Sequence, residues 1–349
     1  VGISIKDHLV AENDKRALDL LNKFTKRKDN GHFEVPLLWK YDSIQLPDTY
    51  DMALKRLICL ESKLRQNIQL LNIFKESISN YSSKGYIRKL NKNEIVRADG
   101  KIRYLPIFAV FNKNKPGKSR VVWDAAAKTN GLSLNSFLLK GPDYLVSLPS
   151  ILFKFRQKSV AIYGDIEEMF HQVYIRSEDR DVQRFLWREC DEDKVPDVYV
   201  MDVMIFGATC APSISQYIKN INATQFENDF PIAAKSIKEN HYVDDLLDSV
   251  NTPQEAIQLI SDVSYVHRQA GFNIRNWISN DRLVMNSIPE NVSQGIKCLN
   301  LKEDKQVEKV LGVFWEQHGD KITFKIAAWL MESDIFRAQE RQPKEKCSD

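Results

Sequence analysis

Two adjacent aspartates, Asp244 and Asp245, are the residues of this sequence whose types and spacing point most directly to chemistry. They lie in NHYVDDLLDSV, residues 240–250, with apolar residues on both sides. This pattern predicts a β-hairpin with the acidic pair at its tip. An isolated pair is explained by a solvated turn, because Asp is a common turn residue. The alternative is a divalent-metal site, since Mg²⁺ takes carboxylate oxygens together with substrate phosphates.

A third carboxylate, Asp165, follows the apolar stretch 160–163. With Glu168 three residues later, it also fits a helix capping box. If its strand neighbours the acidic hairpin in one antiparallel sheet, three carboxylates converge, and their repulsion favours bound cations. Two divalent ions about 3.5–4 Å apart would clamp an in-line phosphoryl transfer. The expected chemistry is that of a polymerase.

The elements that must position these residues mix helices and strands without strict alternation, which predicts the α+β class. Hydrophobic periodicity and capping predict helices and strands as follows. The helices are 13–27, 51–79, 167–175, 207–226 and 253–270. The strands are 158–165, 197–206, 272–279, 310–315 and 320–326, together with a hairpin of 102–111 and 120–125 around a basic Pro-Gly turn.

The composition is that of an ordinary globular protein, with 43% hydrophobic and 28% charged residues and a net charge of +3. The five cysteines are scattered without a C-x-x-C pair, which argues against a zinc ribbon or a disulfide framework. No apolar run is long enough to predict a membrane span. Basic residues far outnumber acidic ones between Lys84 and Arg120, which makes this stretch a candidate polyanion surface or simply a solvated basic face.

Several motifs in order along the chain resemble those of reverse transcriptases. YVDD (242–245) is similar to their catalytic box, YGDIEEMFHQV (163–173) to their first aspartate motif, and FGATCAP (206–212) to a small-residue motif of retrotransposon polymerases. RVVWDAAAKTNGLSLN (120–135), AGFNIRNWISN (270–280) and VLGVFW (310–315) resemble the BEL/Pao group of long-terminal-repeat retrotransposons. The resemblance covers residues 10–326.

This resemblance implies a right-hand polymerase fold with fingers and a palm, an antiparallel palm sheet packed on helices, and a thumb that is truncated or absent. It implies a helical N-terminal extension at 1–95, fingers at 96–157, a palm at 158–316 and a divergent tail at 317–349. Part of 176–205 is assigned either to the palm or to the fingers. The implied activity is RNA-directed DNA synthesis.

The resemblance also implies the catalytic and metal-binding residues. Asp165 and Asp244 would be the main metal ligands, Asp245 the third carboxylate, and the carbonyl of Ile166 a further ligand for two Mg²⁺ or Mn²⁺ ions. Phe170 falls where the family places a steric gate against the 2′-hydroxyl, although it is also read as one more core aromatic.

Other positions match the nucleotide and primer sites of the family. Arg120 and Lys113 match the fingers residues over the triphosphate. Phe206 stands where retroviral enzymes have Gln, and Gly207 begins the small-residue turn beside the nucleotide. The primer grip would include Leu311 and Gly312.

The implied partners are a primed RNA or DNA template and deoxynucleoside triphosphates, with no membrane; the oligomeric state is left open. The implied compartment is the cytoplasm, within a virus-like particle of the parent element, or the nucleus. Three alternatives remain at this point: an inactive relic that retains the fold, a structural or interaction protein on the same palm, and an RNA-dependent RNA polymerase, which Phe170 disfavours.

Overall fold

The structure is a computed structural model that describes residues 12–96, 101–111, 119–289, 307–310, 313–316 and 321–323. Its helices are α1 Glu12–Phe24, α2 Tyr50–Gln66, α3 Ile68–Ser83, α4 Lys92–Ile95, α5 Leu148–Phe155, α6 Ser177–Arg180, α7 Ala211–Gln225, α8 Pro231–Glu239, α9 Pro253–Arg268 and α10 Arg282–Ser287. Short 3-10 helices span Leu134–Phe137, Met169–Gln172 and Asp181–Gln183.

The strands are β1 Lys26–Arg27, β2 Phe33–Val35, β3 Ile87–Lys89, β4 Ile107–Phe111, β5 Ser119–Trp123, β6 Val160–Ile166, β7 Tyr174–Ile175, β8 Arg184–Trp187, β9 Asp197–Met201, β10 His241–Tyr242, β11 Asp245–Val250, β12 Ile274–Ser279, β13 Val307–Val310, β14 Val313–Glu316 and β15 Lys321–Thr323. Helices and mainly antiparallel sheets are mixed, which confirms the predicted α+β class. No described helix is both long and apolar enough to cross a membrane.

The central sheet has the strand order β10–β11–β6–β12, with every neighbouring pair antiparallel. Alternate residues of a strand point to opposite faces, and both faces of this sheet are covered. Ile162 and Leu246 face a large core that also contains side chains of α7 and α9. Ala161 and Leu247 face a smaller core formed with α5. Because both faces are buried over most of the sheet, the register of β6 and β11 is strongly specified.

Smaller sheets surround this core. They have the orders β3–β9–β8, β4–β5, β1–β2–β7 and β13–β14–β15. The β4–β5 pair is the hairpin that the sequence predicts, although β4 begins only after Pro106. Strand β3, from the segment expected to be an N-terminal extension, pairs with β9 in the middle of the chain. The domain boundaries drawn from the resemblance stay a prediction.

Three local expectations are wrong. The helix expected at 51–79 is two helices, because Asn67 leaves the helical conformation and its side chain accepts a hydrogen bond from the backbone N–H of Leu70. The stretch 167–175 forms one 3-10 turn and β7 rather than a helix, since Glu168 has a left-handed backbone (φ +48°). The strand expected at 310–315 is divided between the paired strands β13 and β14.

The basic stretch 84–120 is largely engaged within the protein. Arg103 is fully buried. Four further basic residues form ion pairs with acidic side chains: Lys84 with Glu168, Arg88 with Glu94 and Asp202, Lys89 with Asp197, and Lys101 with Asp179. Lys113, Lys115 and Lys118 lie outside the described residues. An excess of basic residues in the sequence therefore does not translate into a continuous free basic face among the residues described.

Candidate functional site

The acidic hairpin and Asp165 meet in the central sheet. Asp245 on β11 is the direct partner of Asp165 on β6. The backbone N–H of Ile166 donates to the carbonyl of Asp244 at 2.9 Å, which fixes the hairpin tip against the end of β6. The expectation that the two strands are neighbours is confirmed. The capping-box alternative for Asp165 is wrong, because the residue lies inside β6 rather than at a helix start.

The hairpin tip has a strained backbone. Val243 has a φ of +58°, which is uncommon for a β-branched residue and costs on the order of 1–3 kcal/mol. Gln216 on α7 donates to the carbonyl of Val243 at 2.9 Å. A two-residue loop between β10 and β11 needs such a conformation at its first position. This turn leaves Asp244 exposed beside a cavity.

A cavity of about 470 Å³ opens beside this tip. Six of the residues predicted from the sequence as site residues line it: Arg120, Asp165, Ile166, Phe170, Phe206 and Asp244. Asp245 and Gly207 do not line this cavity. Lys113, Leu311 and Gly312 lie outside the described residues.

The surroundings of Asp244 and Asp245 disfavour their ionised forms and raise the pKa of both carboxyl groups. Burial and the charge of Asp165 raise the pKa of Asp244, while Arg120 acts in the opposite direction. The residue is exposed by surface area, but neighbouring protein atoms still desolvate its carboxylate. For Asp245, burial is the largest cause and raises the pKa to about 7, with Asp244 and Asp165 contributing. Its Oδ1 accepts a hydrogen bond from the hydroxyl of Tyr163 at 2.7 Å.

The donor set can be compared with what a divalent metal requires. No group of three or more His, Cys, Asp or Glu side chains in the described part of the chain is arranged to hold a metal ion. Mg²⁺, however, is usually held by one or two carboxylates, with substrate phosphates and water supplying the rest. Asp165 and Asp244 are two such carboxylates on one cavity, and Asp165 raises the pKa of Asp244. The pair fits a cation that binds together with a phosphate substrate.

An aromatic and cationic wall faces these carboxylates. The rings of Phe170 and Phe206 pack edge to face with centroids 4.7 Å apart. The guanidinium carbon of Arg120 lies 5.8 Å from the centroid of Phe206, within cation–π range. A planar guanidinium suits phosphate oxygens. The cavity therefore combines the carboxylates of Asp165, Glu168 and Asp244, the guanidiniums of Arg120 and Arg275, and a flat apolar wall.

Gly207 has a structural requirement of its own. Its φ is +110°, and a Cβ built there would lie 2.9 Å from the carbonyl oxygen of Trp123. The carbonyl of Gly207 accepts a hydrogen bond from Asn135 at 2.9 Å. Its missing side chain lets the turn approach the end of β5, and a role toward a nucleotide stays a prediction.

Sequence reasoning missed the residues that surround the carboxylates. Asn276 donates through Nδ2 to Oδ1 of Asp165 at 2.6 Å. Arg275 lines the cavity and donates to Glu167 at 2.6 Å. Tyr163 contacts Asp245 from within β6. An Asn between β-formers in IRNWIS was the one local signal, since Asn tolerates left-handed backbone.

The stretch that contributes most of the residues lining this cavity matches a known protein family. The family described as reverse transcriptase (RNA-dependent DNA polymerase) matches residues 112–277, which include β5, the carboxylates and most of β12. This part of the chain is similar to reverse transcriptase domains. The mixed helices and antiparallel sheets confirm the α+β class expected for a polymerase palm and fingers.

The chain is similar to the foamy viral protease-reverse transcriptase dRH solved in complex with double-stranded DNA, with 15% sequence identity and a TM-score of 0.47. The match covers 71% of this chain and 35% of that chain, so this chain spans about a third of that protein. The search of curated proteins found no match.

Proposed function

We propose that this chain is the RNA-directed DNA polymerase segment of a BEL/Pao-type retrotransposon polyprotein. The observation that carries the proposal is the single cavity shared by Asp165, Asp244, Arg120 and Phe170. In the proposed reaction, the primer 3′-hydroxyl attacks the α-phosphorus of a deoxynucleoside triphosphate. A new phosphodiester bond forms, and pyrophosphate leaves with the broken bond's electron pair.

Asp165 and Asp244 would hold two divalent ions, with the carbonyl of Ile166 and the carboxylate of Asp245 as further ligands. Bound there, the ions would favour the ionised 3′-hydroxyl and stabilise charge on the leaving pyrophosphate. Asp165 and Asp244 themselves supply two negative charges on one wall of the cavity. Their mutual repulsion, supported by the raised pKa of Asp244, makes this wall a cation site.

Arg120 would orient the triphosphate. Its side chain is exposed at the cavity and lies against Phe206, so the ring limits where the guanidinium can go. Charge-assisted hydrogen bonds from such a restrained group to phosphate oxygens contribute more than those of a free lysine. We propose that Lys113 adds a second cation and that Gly207 borders the base or sugar.

Phe170 would select the sugar. Its ring lines the cavity and is supported edge to face by Phe206. A ring held in place beneath the ribose leaves no room for a 2′-hydroxyl, so deoxynucleotides are favoured. This assignment also disfavours an RNA-dependent RNA polymerase.

The remaining assignments follow from the family. We propose that Leu311 and Gly312 contact the primer, that the palm is built on the β10–β11–β6–β12 sheet, and that the β4–β5 hairpin belongs to the fingers. The partners would be a primed RNA or DNA template and deoxynucleoside triphosphates. The site of action would be a cytoplasmic virus-like particle or the nucleus.

Primer extension tests the proposal. The purified chain is incubated with deoxynucleotides, Mg²⁺ or Mn²⁺, and a DNA primer annealed to either an RNA or a DNA template of the same sequence. We expect template-dependent extension on RNA. Extension on DNA alone would reject the RNA-directed assignment, and a folded chain that extends neither would favour a nucleic-acid-binding protein that retains the palm.

A further inference from the structure

We propose that Asn276 is a positioning residue that holds the carboxylate of Asp165 in the orientation needed to bind a divalent cation. The proposal rests on the proposed function, because it assigns a task within the same site. Its basis is the 2.6 Å hydrogen bond from Nδ2 of Asn276 to Oδ1 of Asp165. Only the nitrogen end of the amide can donate to a carboxylate, so the contact also fixes how the amide is turned.

A β-bulge brings Asn276 to this position. Arg275 pairs with Asp165, and Ile278 pairs with Tyr163, so two residues of β12 oppose the single residue Gly164. In a regular strand, neighbouring side chains point to opposite faces. Here Arg275 lines the cavity and Asn276 still reaches Asp165. The extra residue of the bulge re-aims the side chain toward the carboxylate.

The backbone at the bulge favours the residue found there. Asn276 has a φ of +52°, in the left-handed region that Asn adopts more readily than most residues. The following residue, Trp277, is fully buried in the core. A Cβ on Gly164 would lie 2.8 Å from the Trp277 ring. The bare Gly164 therefore makes room for the tryptophan and allows the bulge that presents Asn276.

Contacts on either side hold the bulge in register with β6. Arg275 donates to a carboxylate oxygen of Glu167 at 2.6 Å. The backbone N–H of Glu167 donates to the carbonyl of Asn273 at 2.8 Å. The amide of Asn276 donates to Asp165 instead. These neighbouring contacts stabilise the strained backbone at Asn276, and the side-chain amide of Asn276 bonds to Asp165.

The consequence for cation binding follows from the chemistry of metal ligands. A carboxylate that is already turned toward its ligand position loses less rotational freedom when the metal binds. Hydrogen-bond partners of metal ligands change affinity by roughly 10–100-fold when they are removed. Asn276 is not one of the acidic residues that would bind the ion directly. Its effect on affinity would act through Asp165.

The test measures Mn²⁺ binding by electron paramagnetic resonance, independently of polymerase activity. Asn276→Gly removes the amide and accepts the left-handed backbone, and Asn276→Ala serves as a second variant that retains Cβ. Asn273→Ala is the matched control, because Asn273 is an exposed asparagine of the same region that contacts Glu167 instead. Asp165→Asn alone and combined with Asn276→Gly completes a double-mutant cycle, and thermal melting confirms that each variant is folded.

We expect Asn276→Gly to raise the Mn²⁺ dissociation constant about 10–100-fold, with Asn273→Ala unchanged and no further loss in the Asp165→Asn background. Binding within about twofold of the natural chain, or an equal loss with and without Asp165, would overturn the role of Asn276. So would a natural chain that binds no more Mn²⁺ than Asp165→Asn. Primer extension is scored separately: a chain that needs Asn276 for Mn²⁺ but extends no primer would reject the polymerase and keep the positioning role.

Discussion

Asp165 and Asp245 are direct partners across the β6–β11 pair, yet their carboxylates have different hydrogen-bond donors. Asp165 accepts from the amide of Asn276, and Asp245 accepts from the hydroxyl of Tyr163. Of these two paired residues, only Asp165 lines the cavity, which it shares with Asp244. The two paired carboxylates therefore have different surroundings, Asp165 at the cavity and Asp245 against the hydroxyl of Tyr163.

Tyr163→Phe is expected to destabilise the folded protein. The substitution removes the donor at 2.7 Å from Asp245 and leaves a partly buried carboxyl group without it. Hydrogen bonds of this kind contribute about 1–3 kcal/mol, so the free energy of unfolding in urea should fall by that amount. Tyr265→Phe is the control, since its hydroxyl makes no hydrogen bond within the described chain. Equal effects of the two substitutions would show that the Tyr163 contact adds nothing.

The aromatic pair provides a test of sugar selection. Phe170→Val should open space beneath the sugar and reduce the preference for deoxynucleotides over ribonucleotides by roughly 10–100-fold in kcat/KM. Phe206→Leu should act in the same direction but less, because its ring only supports Phe170 at 4.7 Å. Phe153→Leu, on an exposed ring of α5, is the control. An unchanged preference for deoxynucleotides in Phe170→Val would show that Phe170 does not select the sugar.

Gly164→Ala should destabilise the protein through the core rather than through the carboxylates. The added Cβ would lie 2.8 Å from the ring of Trp277, and such overpacking costs about 1–3 kcal/mol. Trp277→Phe in the same chain should relieve part of the clash. In a double-mutant cycle measured by urea unfolding, the two substitutions together should be less harmful than their sum. Simple additivity would show that the ring is not the obstacle.

His171 makes a prediction about acid stability. Its side chain is buried against Tyr81, Tyr86 and Phe206, and burial lowers its pKa to about 4. Between the unfolded pKa near 6.5 and this value, the unfolded chain binds the proton and the folded chain does not. The stability that the neutral ring allows is therefore lost as pH falls through this window, by up to about 3 kcal/mol.

His171→Phe removes this proton binding and keeps an aromatic ring among aromatic neighbours. The free energy of unfolding of the variant should rise relative to that of the natural chain as pH falls from 7 to 5. The buried pair His241 and His267 is present in both proteins, so its contribution cancels when the two are compared. Urea unfolding at both pH values measures it. Parallel pH profiles for the two proteins would contradict the buried neutral state of His171.

Local sequence patterns predicted the hairpin well. The apolar arms around Asp244 and Asp245 specify β10 and β11, and the Thr252 cap specifies the start of α9. The same reasoning failed at Glu168, whose left-handed backbone ends any helix there. Lys84 and Tyr86 contact the carboxylate of Glu168 from more than eighty residues away, and no local pattern shows such contacts.

The surroundings of the carboxylates were beyond local patterns for a similar reason. Asn276 reaches Asp165 only because β12 bulges against β6, and the bulge depends on Gly164 and Trp277 meeting across two strands. The alternating pattern of 272–279 predicts a strand but not its register. Tyr163 likewise reads as a strand residue, and its contact with Asp245 exists only once β11 has paired with β6.

The most direct measurement of the central claim is primer extension on an RNA template by the natural chain, Asp165→Asn and Asp244→Asn, with Asp248→Asn as the matched control. Asp248 lies on the same strand β11 but accepts from Ser236 and does not line the cavity. We expect both cavity variants to lose extension while Asp248→Asn retains it, with all four proteins folded. Extension by Asp165→Asn and Asp244→Asn at the rate of the natural chain would contradict a catalytic site at this cavity.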